Sequence, residues 1–194
     1  MIPIRENLVP KDKYAIKCPY TRTPTRVVIH NTANDAPAAN EISYMRYNDL
    51  EISFHYAVDD VNIVQGIPEN RNAWASGDGH GKGNMEGIHI EICYSKSGGK
   101  KFDKAEQNAA EFTASLLKKY GWAIDKVTKH RDYDGKYCPH RTLDRGWQRS
   151  QYISGCNNDL TSKQIVDWTC PTYAYHDCLV EIEPWDGVVA ESQE

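Results

Sequence analysis

The segment KHRDYDGKYCPH, residues 129–140, sets His130 and Cys138 on either side of an Asp134-Gly135 turn, with seven residues between them. An imidazole nitrogen and a thiolate sulfur are borderline-soft donors suited to Zn²⁺, and a catalytic zinc keeps three protein ligands so that water or substrate can take the fourth position. One more ligand must come from elsewhere. His30 is the candidate: it closes RVVIH, a β-branched run expected to form a strand that delivers its last side chain to a sheet edge. Taken alone, the pair reads equally as a surface histidine and a buried thiol.

Two further features favour the metal. In GIHIEICYS the side chains alternate, Ile88, Ile90 and Ile92 on one face of a strand and His89, Glu91 and Cys93 on the other. A mid-strand carboxylate between apolar neighbours either lies on a solvated sheet face or faces a cleft, where burial raises its pKa into the range useful for moving protons. Lys136 lies in the turn between the two proposed ligands. It is either a solvated loop charge or, tethered two residues from the thiolate, a cation able to stabilise a developing oxyanion.

These groups need a sheet to hold them. Strands are expected at 26–31, 53–59, 61–66, 87–93 and 126–130, with a hairpin at 59–62 that makes the sheet mixed. The clearest helix is expected from Lys104 to Tyr120, with Asp103 as N-cap, Glu106 three residues on, Ala105, Ala109, Phe112 and Leu116 along one stripe, Lys118 and Lys119 in the last turn, and Gly121 at the exit. A second helix over Ala39–Tyr47 would bury Ile42 and Met45. GDGHGKGN, residues 77–84, reads as a loop without the strand-to-helix context of a phosphate-binding loop, so no nucleotide or nucleic-acid partner is expected.

The strings CPYTRTPTRVVIHNTAND, EISFHYAVDD, IVQGIPENRNAWASGDG, GIHIEICYSKSGG and GKYCPHR resemble, in order and spacing, the zinc-dependent type 2 N-acetylmuramoyl-L-alanine amidases, in particular the catalytic domains of endolysins from Bacillus phages and prophages. The resemblance covers about residues 1 to 148. It implies an α/β fold with a central mixed sheet flanked by helices, related to peptidoglycan-recognition proteins, and one catalytic zinc held by His30, His130 and Cys138. It places Glu91 and Lys136 at the two catalytic positions. The implied reaction is hydrolysis of the amide between N-acetylmuramic acid and L-alanine of bacterial peptidoglycan, leading to wall degradation and host lysis. Many distant relatives carry Tyr where this chain has Phe54, before His55; losing that hydroxyl leaves Glu91 as the base. Trp74 and Phe54 are the candidate substrate contacts, although an indole serves a core equally well. His55 and His89 are expected to pack or to support the ligands from behind. The rival reading is a peptidoglycan-binding module that does not cut; its non-hydrolytic relatives typically lack the cysteine ligand, which is present here. A structural zinc would want a fourth protein ligand, for which only His140 offers itself.

With 194 residues, 40% hydrophobic and 26% charged, the chain has the composition of a globular protein with one well-buried domain and an appendage. No apolar run is long enough to cross a bilayer, and MIPIRENLVPKDKY lacks a signal-peptide core. Synthesis in the cytoplasm is therefore expected, with action on the wall after release, six cysteines that need not pair, and a monomer. Charge divides the chain: from residue 150 onward one lysine faces eight acids, a formal −7, and the total of −4 leaves +3 for residues 1–149. The division predicts a catalytic domain at 1–149, mildly basic and suited to an anionic wall, and an acidic extension at 150–194 that such a wall would repel. Within that extension Cys170, His176 and Cys178 are read as packed side chains rather than a second metal site.

Overall fold

The computed structural model describes residues 2–148, so the expectations for the acidic extension lie outside the described residues. Six strands are present among the described residues: β1 (Ile4–Glu6), β2 (Arg26–Asn31), β3 (Tyr56–Val58), β4 (Ile63–Gln65), β5 (Gly87–Ile92) and β6 (Val127–Lys129). They form one sheet in the order β1-β4-β3-β5-β2-β6. The β3–β4 pair is antiparallel, as the hairpin at 59–62 requires, and every other neighbouring pair is parallel. Asp59 makes that turn, its carboxylate accepting the backbone N–H groups of Val61 and Asn62. The first strand was not expected; its three exposed residues IRE carry no alternating pattern and are held by pairing with β4.

Register makes the sheet two-faced. Val27, Ile29, Ile88, Ile90, Tyr56 and Val58 share one face through the β2–β5 and β3–β5 pairings, and all are buried. The long helix covers them, with Phe112 and Tyr56 in edge-to-face contact at 4.6 Å. Losing a ring in such a position costs about 3–5 kcal/mol. The opposite face carries Val28, His30, Ala57, His89 and Glu91. Here period-2 alternation decides function: the residues that hold the core and those that do chemistry are interleaved along the same strands.

Among the described residues six α-helices accompany the sheet: α1 (Tyr14–Lys17), α2 (Ala38–Tyr47), α3 (Lys82–Glu86), α4 (Gly99–Tyr120), α5 (Arg131–Asp134) and α6 (His140–Asp144). Helix α4 packs on β3 and β5, α2 on β3 and β4. The expected end of α4 is observed, with Gly121 in the left-handed region at φ 66°. Its start differs: the helix begins five residues before Lys104, and Asp103 is not its cap. Phe102 explains the extra turn, because it is fully buried beneath the guanidinium groups of Arg141 and Arg145, 5.8 and 5.0 Å from its ring centre. Asp103 and Glu106 instead pair with Arg145 at 2.5 and 2.8 Å. The glycine-rich stretch 77–84 is also only partly a loop. Asp78 accepts the backbone N–H groups of Gly83 and Asn84, at 2.7 and 3.0 Å, and so starts α3.

Candidate metal centre and groove

Strand pairing builds the centre. His30 lies at the end of β2, directly opposite Glu91 on β5. On its other side β6 pairs Lys129 with Ile29, and the next residue, His130, continues the ladder by donating its N–H to the Ile29 carbonyl at 3.2 Å. Helix α5 then turns the chain, Gly135 at φ 81° reverses it, and Arg131 N–H donates to the Cys138 carbonyl at 3.0 Å. This closed loop accounts for the seven-residue spacing between His130 and Cys138. All three side chains are buried, and their ligand atoms lie within 4.8 Å of one another.

The donor set fits a metal ion and can bind one. His30 Nδ1 and His130 Nδ1 are 3.1 Å apart, close to the separation of about 3.3 Å expected for two nitrogens at tetrahedral zinc distances. Burial, then His89, His130 and Lys136, holds the His30 imidazole well below its ordinary pKa, so it is neutral and keeps a lone pair. His130 is lowered too, by burial opposed by Asp134. In the metal-free protein burial and, next, Glu91 push the Cys138 thiol up to about 12, so binding of a cation must release that proton. His140 does not join the cluster; its Nε2 faces the Ser95 carbonyl at 3.2 Å.

Glu91 sits 4.0 Å from His30 Nδ1 and keeps 16% of its side-chain surface exposed. Burial, reinforced by Glu41 and opposed by Lys136, raises its pKa to about 8. One carboxylate oxygen of each, Glu91 Oε2 and Glu41 Oε1, is buried with no hydrogen-bond partner among the described residues. Both line a groove of about 490 Å³ whose walls include Thr32, Asn34, Tyr44, Asn48, Ile52 and Phe54. Phe54 is thus brought to the groove. Trp74 is not in that lining: its indole N–H donates to the Ile16 carbonyl at 3.0 Å, and Tyr20 and His80 stand edge-on to it. Lys136 is exposed in the turn, where its charge is felt by His30, Glu91 and Cys138.

Two residues of the site had no distinctive sequence signal. Glu41 is the single acid of α2, in its first turn, where an acid is ordinarily a solvated helix-start charge. Asp134 reads as a turn residue, yet its Oδ2 lies 3.1 Å from His130 Nε2; the i,i+4 spacing from a candidate ligand was the available clue.

A family model for N-acetylmuramoyl-L-alanine amidase matches residues 20–141, a stretch that contains every one of these groups. The chain belongs to this amidase family. The amidase XlyB of Bacillus subtilis strain 168 is 58% identical over 146 residues, 75% of this chain and 46% of its own length. CwlA of the same strain is also 58% identical over 146 residues, 54% of its length. The chain therefore spans about half the length of the curated relatives it matches. Among solved structures, that of PlyL aligns with a TM-score of 0.78 and 49% identity, covering 82% of this chain and 100% of its own. The PlyG catalytic domain aligns at 0.76 and 48%, covering 88% and 100%. The mixed six-stranded sheet is the fold of these amidase domains, and no helix among the described residues is long and apolar enough to cross a membrane.

Proposed function

We propose that the chain is the catalytic part of an endolysin-type amidase that hydrolyses the bond between N-acetylmuramic acid and L-alanine in bacterial peptidoglycan. The observation that carries this reading is the buried His30, His130 and Cys138 cluster with Glu91 beside it, at the head of a groove. We take the metal to be zinc, on the chemistry of two imidazoles and a thiolate. Zinc held there would supply Lewis-acid chemistry for the scissile carbonyl and a more acidic water. Glu91 takes the proton from the attacking water and returns it to the leaving nitrogen of L-alanine; its carboxylate, 4.0 Å from His30 Nδ1, stands beside the centre within reach of both. Lys136 supplies positive charge to the carbonyl oxygen as it becomes an oxyanion.

The groove is proposed to take the peptide side of the substrate, with Phe54 and Ile52 as apolar wall and Asn34, Asn40 and Asn48 as hydrogen-bonding groups. Trp74, whose N–H is already donated, offers a ring surface as a further contact beyond it. Residues 1–149 are proposed to suffice for hydrolysis. The test is turbidity loss of purified cell walls with and without a chelator, followed by end-group analysis. Chelator-sensitive release of new N-terminal alanine is expected. New reducing sugar ends would point to a glycosidase, and binding without any new end would favour the non-hydrolytic module.

A further inference from the structure

His30 and His130 present the same ring atom, Nδ1, to the centre, and each is contacted from behind through Nε2. A neutral imidazole has one proton, so the partner on Nε2 determines whether Nδ1 has a free lone pair. Behind His130 stands Asp134, 3.1 Å from Nε2. As an acceptor without a proton of its own, it requires the hydrogen on Nε2 and leaves Nδ1 bare. Asp134 is itself fixed: its Oδ1 accepts the Lys136 N–H at 2.8 Å, and Gly77 lies so close that a Cβ there would come within 2.2 Å of Oδ2.

Behind His30 stands His89, whose Nδ1 is 3.0 Å from His30 Nε2. One hydrogen lies between them, and whichever ring holds it decides the chemistry. The His89 ring is oriented by neighbours on two sides. His55 stacks on it, 5.6 Å away with planes 18° apart, and is anchored because its Nδ1 accepts the His89 backbone N–H at 3.0 Å. That bond puts the His55 proton on Nε2, where the Arg71 carbonyl accepts it at 2.9 Å. His89 Nε2 is buried with no hydrogen-bond partner among the described residues. Were the shared hydrogen on His89 Nδ1, His30 would carry its own on the Nδ1 that faces His130 and could offer no lone pair there. Metal binding through His30 Nδ1 therefore requires His89 Nδ1 to accept and the shared hydrogen to belong to His30.

We propose that His89 and Asp134 are positioning residues that lock His30 and His130 in the Nε2–H form, so that both Nδ1 lone pairs face the metal, and that Gly77 maintains this by leaving room for Asp134. The proposal rests on the metal-site reading above. Neither residue touches substrate; their effect is on the ligands.

The test is zinc affinity, by competition with a chromogenic chelator, together with nitrogen NMR of the zinc-loaded protein. His89→Leu, Asp134→Ala and Gly77→Ala should each weaken zinc binding by about 10- to 100-fold. His89→Asn, whose side-chain oxygen can replace the Nδ1 acceptor, should recover most of the loss. In the unsubstituted protein, the His30 and His130 hydrogens should be found on Nε2, with coupling from His30 to His89 Nδ1 across the hydrogen bond. Zinc affinity within twofold of the unsubstituted protein in both His89→Leu and Asp134→Ala would overturn the proposal alone. If those variants do not fold, a hydrogen on Nδ1 of His30 in the NMR spectrum overturns it. An unsubstituted protein that binds no zinc would overturn the metal-site reading itself, and this proposal with it.

Discussion

Lys17→Met is expected to destabilise the domain and to weaken substrate binding without emptying the metal centre. Lys17 ends α1 and is completely buried, a rare state for a lysine. Its ammonium donates to Asn48 Oδ1 at 2.8 Å, to the Ile52 carbonyl at 3.2 Å and to the Leu50 carbonyl. Its own carbonyl accepts the Ser53 hydroxyl at 2.6 Å. One side chain thus organises the segment that carries Asn48 and Ile52, both walls of the groove. Burial, aided by Lys13 and opposed by Asp49, lowers the Lys17 pKa, so the hydrogen bonds must offset an unfavourable desolvation. Methionine keeps the length and loses all three donors. Each acceptor left unpaired in the interior costs about 1–3 kcal/mol. Leu50 and Ile52 both lie at the surface, where water can serve their carbonyls, and Asn48 Oδ1 keeps the Leu50 N–H as a donor, so a net loss near the lower end, about 2 kcal/mol, is expected. For a domain of this size that corresponds to a fall in Tm of roughly 4–8 °C. Calorimetry on the zinc-loaded protein would measure it, alongside KM and kcat on solubilised peptidoglycan fragments. The expected pattern is a several-fold higher KM with unchanged zinc content. A Tm within about 2 °C of the parent would refute the assignment of Lys17 as the organiser of the 48–52 segment.

Cys138→Ser should lose bound zinc and wall-lytic activity together, because a hydroxyl is a much poorer zinc ligand than a thiolate; metal analysis showing stoichiometric zinc with full activity would remove Cys138 from the centre. Glu91→Gln should keep zinc and wall binding while turnover falls by roughly 10² to 10⁴, and unchanged turnover would mean another group moves the proton. Burial, aided by Arg22 and opposed by a hydrogen bond to Arg71, holds His55 well below its ordinary pKa. The unfolded chain takes up that proton first, so this contribution to stability is complete above about pH 6.5 and is lost as pH falls. Urea midpoints of the metal-free protein should therefore drop between pH 7.5 and 5.5, at up to ~1.4 kcal/mol per pH unit for this group, and His55→Gln should flatten the slope. A chain ending near Arg149 should fold and still cleave soluble peptidoglycan, since every proposed catalytic residue lies upstream; loss of folding would assign part of the acidic extension to the core.

Short-range patterns in the sequence carried much of this architecture. The RVVIH and GIHIEI runs showed both central strands and the side of each that would face the centre, because strand periodicity is local. The His130–Cys138 spacing was legible because one small loop brings both side chains into the same cluster. What stayed hidden depends on contacts between distant segments. The early start of α4 follows from Phe102 meeting Arg141 and Arg145 across about 40 residues of chain. The pairing of Glu41 with Glu91 in one groove needs α2 to lie on β3 and β4. Lys17, in the sequence an ordinary lysine at the end of a four-residue helix, is buried only because residues 48–52 return over it.

The strand order also bears on when activity can exist. His30 leaves the ribosome early, but its partner strand β6 and the loop carrying His130 and Cys138 come 100 residues later. A nascent or prematurely ended chain that already holds β2, β5 and all of α4 has most of its hydrophobic core and none of its assembled centre. The order of synthesis thus works as a safety catch: the cluster of His30, His130 and Cys138 cannot assemble until β6 is laid against β2, and shorter products lack it however well they fold.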